Sequence, residues 1–242
     1  MGSASQSPWE PVRKIRAYEQ VMAQIEQRML DGLLAPGDRL PSERELSQLL
    51  GVSRPSLREA LRVLEALGIV EVRVGRGSDG GTVFVGTPGS GFANLLRMQL
   101  ALGHFGDGDV LRTRSMLEEW AIVEASAHAG EQDFRELEAL LGEMDAPELT
   151  ARGFNRLDTE FHVRLTEATG NALASYLMSS LRMAIQRNMI EAYEKLPDWR
   201  RTARSVQEEH RAILHAVRTG DTQRGVELVR HHIIDFYAVG RP

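Results

Sequence analysis

Asp158 and His162 lie four residues apart, so about 400° of helical rotation brings a carboxylate and an imidazole onto nearly the same side of one helix. They sit beside Leu157, Phe161 and Leu165, whose spacing marks a buried stripe. His210 is more telling. Val206, Ile213, Leu214 and Val217 surround its bearing, and a lone imidazole on an apolar face costs desolvation free energy. His232 lies between the bearings of Leu228 and Phe236, whereas His231 is turned about 100° toward the polar side. Three inward histidines and one aspartate, drawn from three helices, form a donor set for a divalent ion with positions left for water or a ligand. Singly, each has a plainer reading as a hydrogen-bonded core histidine or a surface ion pair. An open Asp and His site also suits a metal-dependent hydrolase, but no positioned general base beyond the ligands is identifiable.

A second chemistry resides in arginine. Arg54, Arg58 and Arg62 step every four residues, drifting only about 40° each time, while Leu57, Leu61 and Leu64 share another bearing. A helix offering its N-terminal end to the major groove can set Arg54 and Arg58 against guanine edges or phosphates, with Arg44 placed to reach the backbone. Three arginines alone would sooner suit a solvated helix face. Their surroundings decide.

Those surroundings are a helix over Ala17–Leu30, a Pro/Gly turn at 33–41, and a short helix that Ser42 caps, with Glu45 three residues on and Leu46, Leu49 and Leu50 following. Gly51-Val52-Ser53 is a tight turn, Ser53 caps the third helix, and Pro55 is tolerated in its first turn. After Gly68 come β-branched, alternating residues 69–74, a glycine-rich tip, and Thr82–Val85, a β-hairpin or wing. Beyond a Gly/Pro linker, helical patterns run near 92–102, 109–129, 133–143, 148–169, 172–195, 199–218 and 222–238. The fold expected is mainly α: an N-terminal winged helix-turn-helix and a C-terminal antiparallel all-α bundle. The divisions are a disordered tail at 1–12, a DNA-binding domain at 13–85, a linker at 86–91, and an effector-binding and dimerisation domain at 92–242.

Composition narrows the class. The chain has 242 residues, no cysteine and 42% hydrophobic residues, which excludes a disulfide scaffold, a thiolate zinc site and a cysteine nucleophile. No run approaches the roughly 18 apolar residues of a membrane span, and no secretory signal opens the chain, so a cytoplasmic protein is expected. The net charge of −5 offers DNA no bulk attraction. Residues 9–86 carry eleven Lys plus Arg and eleven Asp plus Glu, so the deficit lies outside them.

Pro36-Gly37-Asp38-Arg39-Leu40-Pro41-Ser42-Glu43-Arg44-Glu45-Leu46, Gly51-Val52-Ser53-Arg54 and Leu57-Arg58-Glu59-Ala60-Leu61 resemble the GntR family of bacterial regulators. The resemblance implies DNA contacts by Arg44, Arg54 and Arg58, with Ser53 and Ser56 near phosphates and Gly75 at the wing. It also implies a homodimer on palindromic double-stranded operator DNA. Asp158-Thr159-Glu160-Phe161-His162, Glu209-His210 and Gly220-Asp221 with His232 are similar to the ligand-bearing segments of the FadR-type branch, whose FCD domain carries an Asp, three His pattern. Arg112-Thr113-Arg114 with Glu118 resembles an Arg and Glu pair of that branch. Arg114 falls on the inward bearing with Val110, Leu117 and Ala121, fit to clamp a carboxylate. The implied protein is a metabolite-responsive repressor binding Zn²⁺, Ni²⁺ or Mn²⁺ and, through it, a small carboxylate metabolite. An effector-independent DNA binder is the remaining alternative.

Other residues have structural readings. His104, His128, His215 and His231 lack ligand spacing; Met178, Met183 and Met189 are expected to fill core, and Trp120 and Tyr193 suit either a pocket or packing.

Overall fold

The computed structural model describes residues 16–73 and 81–239. The chain divides after Gly91 into two compact units. The first holds α1 (Ala17–Leu30), α2 (Glu43–Leu50), α3 (Arg54–Ala66), β1 (Val70–Arg73) and β2 (Gly81–Phe84). The Oγ of Ser42 accepts the Glu45 N–H at 3.3 Å and that of Ser53 accepts the Ser56 N–H at 3.3 Å, so both helices of the helix-turn-helix start on a side-chain cap. Between them Gly51 has φ 63°, a left-handed conformation that ends α2 and that a side chain would strain.

Leu57, Ala60, Leu61 and Leu64 of α3 pack with Val21 and Ile25 of α1, Leu46, Val70 and Phe84. Each fully buried large side chain contributes about 1.5–3 kcal/mol, enough to hold the opposite, arginine-bearing side outward. Leu49, turned about 60° from Leu46 on a helix of little more than two turns, is exposed. The strands pair antiparallel from Val70↔Phe84 to Arg73↔Gly81, and an Arg39↔Val83 bridge adds the turn before α2 to this sheet. The wing tip, with Gly75, lies outside the described residues, as does the tail expected at 1–12. Within the expected linker, Gly89 and Gly91 bring their backbone against Gly68 and Leu67, leaving Gly91 no room for a Cβ.

The second unit comprises α4 (Gly91–Ala101), which starts at the boundary, then α5 (Asp107–His128), α6 (Glu131–Glu143), α7 (Ala151–Glu167), α8 (Ala172–Lys195), α9 (Trp199–Thr219) and α10 (Thr222–Val239). Short connections fold α7 back on α6, α8 on α7 and α10 on α9. α7 packs on α8, α6 and α5, while α10 packs on α5 and α9. The core runs through Ile122, Phe154, Leu157, Phe161, Ile213, Val229 and Ile233. Met178 and Met189 are buried as expected, but Met183 is exposed, because it lies on the outer side of α8. Among the described residues no helix is long and apolar enough to cross a membrane.

Candidate metal centre and DNA-reading face

α7 carries Asp158 and His162, α9 carries His210 and α10 carries His232; all four are buried, His210 completely. One donor atom from each lies within 4.8 Å of the other three. His162 Nε2 and His210 Nε2 are 3.2 Å apart, and Asp158 Oδ1 is 3.4 Å from the latter and 3.8 Å from the former. An ion with bonds of about 2.0–2.2 Å places neighbouring donors about 2.9–3.6 Å apart. The 3.2 and 3.4 Å separations fall within that range, while 3.8 Å and the overall spread of up to 4.8 Å are wider, so the donors would have to draw in slightly around an ion. Two facing imidazole nitrogens need either a shared proton or a cation between their lone pairs. Burial, followed by the charges of His232 and Arg182, holds His210 well below the usual histidine range and therefore neutral, the form that ligates.

Two carboxylates stand behind the histidines. Glu209 Oε2 is 2.8 Å from His232 Nδ1. Glu118 Oε2 is 2.7 Å from His162 Nδ1, off the line of a straight hydrogen bond. A carboxylate on Nδ1 favours the tautomer whose Nε2 lone pair faces the cluster. His210 Nδ1 has no hydrogen-bond partner among the described residues. Arg182 donates to Asp158 Oδ2 at 3.3 Å, and Arg114 Nε donates to Glu118 Oε1 at 3.0 Å. Burial raises the pKa of Glu118, but the charges of Arg114, Arg182 and His232 outweigh it and hold the carboxyl below its usual range. Two buried guanidinium groups thus balance two buried carboxylates. A divalent ion added here would make the interior positive.

The four residues singled out for metal binding converge, and Arg114 faces the same interior. His104, His128, His215 and His231 are exposed, Trp120 is half-buried, and buried Tyr193 packs edge-on against Phe154. Arg182 and Glu209 were missed. Arg182 lies within about 40° of both Met178 and Met189 on α8, a cation on an apolar stripe and the same signal that picked out His210.

On the first unit, Arg44, Ser53, Arg54, Arg58 and Arg62 are exposed and Ser56 half-buried. Ser53 Oγ and Ser56 Oγ are 2.9 Å apart. Glu43, at the start of α2, pairs with Arg58 Nε at 2.7 Å and with Arg54 at 3.7 Å, a tether not anticipated from the arginine spacing.

A capped helix-turn-helix with a β-hairpin, on a chain that also carries an all-helical unit, defines a DNA-binding transcription regulator. Residues 17–79 match the model of bacterial regulatory proteins of the gntR family, and residues 109–235 match the FCD domain. The chain belongs to the GntR family, in its FCD-bearing form. It is 38% identical over 154 residues to the HTH-type transcriptional regulator Mce2R of Mycobacterium tuberculosis, a match covering 62% of this chain but only 58% of that protein. Against the Exu regulon transcriptional regulator of Escherichia coli it is 30% identical over 84% of this chain and 76% of that one. Against LutR of Bacillus subtilis the values are 28%, 84% and 91%. A solved Streptococcus agalactiae GntR structure superposes with a TM-score of 0.59 at 26% identity, covering 90% of this chain and 97% of that one. These relatives are transcription regulators, and none of their names gives the hydrolase alternative support.

Proposed function

We propose that the chain is a cytoplasmic, homodimeric repressor that binds a palindromic operator and responds to a small carboxylate metabolite through a metal ion. The observation that carries this reading is the convergence of Asp158, His162, His210 and His232, from three helices, on one buried point. Their nitrogen and oxygen donors suit Zn²⁺, Ni²⁺ or Mn²⁺, which would supply a Lewis-acid anchor for a carboxylate. With the two buried Arg and carboxylate pairs already neutral, the ion's charge favours an anionic effector, and Arg114 is the guanidinium assigned to clamp it.

DNA contact falls to Arg44, Arg54 and Arg58, with Ser53 and Ser56 at phosphates and Gly75 at the wing. Effector binding acts by a differential affinity for DNA-competent and incompetent arrangements, typically about 1–3 kcal/mol. The domain limits at 13–85, 86–91 and 92–242 follow the same division of labour.

Metal analysis of protein purified without chelators tests the reading. It requires a stoichiometric ion that His210→Ala loses while remaining folded, and an operator-binding curve that shifts with a carboxylate metabolite. Absence of the ion in the wild type overturns the four-ligand site. An operator curve indifferent to every metabolite, and unchanged in affinity after removal of the residues beyond Gly91, favours an effector-independent DNA binder.

A further inference from the structure

Asn155 is completely buried on α7, and neither its amide nitrogen nor its amide oxygen has a hydrogen-bond partner among the described residues. Seven residues separate it from His162, which places the two within about 20° of one bearing and about 10.5 Å apart along the helix axis. Asp158 lies between them on the same inner side. Buried amides are ordinarily satisfied, so one left with both functions open calls for a ligand or ordered water. Its immediate neighbour Phe154 and the nearby Leu157 belong to the apolar core, so packing gives no reason for an amide here. Leucine would fill a similar volume without the desolvation cost.

We propose that Asn155 reads the effector: its carboxamide hydrogen-bonds a second polar group of an acid whose carboxylate is anchored at the Asp158 and histidine cluster. This rests on the metal-and-carboxylate reading above. An amide with a free donor and a free acceptor is matched by a hydroxyl, which donates and accepts at once, whereas a second carboxylate can only accept. The effector class is therefore a short hydroxy acid, with the hydroxyl a few bonds from the metal-bound end.

Matched probes test this on the full-length protein loaded with Zn²⁺: butyrate against 4-hydroxybutyrate, and pentanoate against 5-hydroxypentanoate, by calorimetry. The wild type should bind the hydroxylated member of at least one pair about tenfold or more tightly. Asn155→Leu should bring that ratio close to one, with circular dichroism and zinc stoichiometry reporting that the variant is folded and loaded. It should also melt higher than the wild type without ligand, since the unpaired amide is gone. A folded, zinc-loaded Asn155→Leu protein that keeps the preference overturns the proposal alone. Equal binding of both members by the wild type, or binding of neither, also overturns it. A wild type that takes up no zinc overturns this proposal and the metal site together.

Discussion

Glu43 Oε2 lies 2.7 Å from Arg58 Nε and 3.7 Å from Arg54, so one carboxylate on α2 tethers two of the arginines assigned to DNA. Both sides are substantially exposed, and such a pair contributes about 0–1 kcal/mol to stability. Its larger effect is electrostatic, since a carboxylate beside the phosphates opposes binding and competes for the guanidinium. Glu43→Gln should leave the melting temperature nearly unchanged and tighten binding to random-sequence duplex about three- to tenfold at low salt, by anisotropy. Unchanged or weaker binding would mean that Glu43 holds Arg58 in its DNA-bound pose.

Arg58→Ala separates two roles for the same side chain. If the guanidinium contacts a base edge, specific binding should fall by about 1–3 kcal/mol and the preference at one operator position should relax. Competition against a single-position operator library measures both. A uniform loss across all sequences makes Arg58 a phosphate contact only.

The buried Asp and histidine cluster was legible because polar residues on an apolar stripe are conspicuous, and His210 among Val206, Ile213 and Val217 is such a case. Arg182 was equally legible by that criterion. Glu209 was not: it is turned about 100° from His210, and its partner His232 lies on another helix, so only the packing of α9 on α10 brings them together. The tether by Glu43 depends likewise on how α2 crosses α3. The helices themselves were readable from period and punctuation, with Gly51 and Gly220 ending two of them in left-handed conformations.

Glu209 offers a test of the cluster that spares its donors. Its carboxylate is partly exposed, and His232 Nδ1 lies 2.8 Å away. Glu209→Gln should therefore leave the fold nearly intact while lowering metal affinity about 10–100-fold, the usual effect of losing an orienting carboxylate behind a ligating histidine. Competition with a chromogenic chelator reads this directly. An unaltered affinity would show that His232 is oriented by packing or does not ligate.

Arg114 and Glu118 are 1% and 2% exposed and 3.0 Å apart, and such burial confounds any simple test of effector clamping. Removing Arg114 alone leaves a buried carboxylate without its nearest cation, so Arg114→Leu should cost about 3–5 kcal/mol in chemical denaturation. Replacing both by leucine removes the uncompensated charge, and the double variant should recover most of that loss. Because Glu118 also stands 2.7 Å from His162 Nδ1, the recovered protein tests the sensing role of Arg114 only with its metal stoichiometry shown to match the wild type. If Arg114 binds the effector carboxylate, the double variant is folded and able to bind operator but no longer released by metabolite. A double variant that still responds leaves Arg114 as Glu118's structural partner and places the carboxylate elsewhere, with Arg182 the other buried cation of this interior.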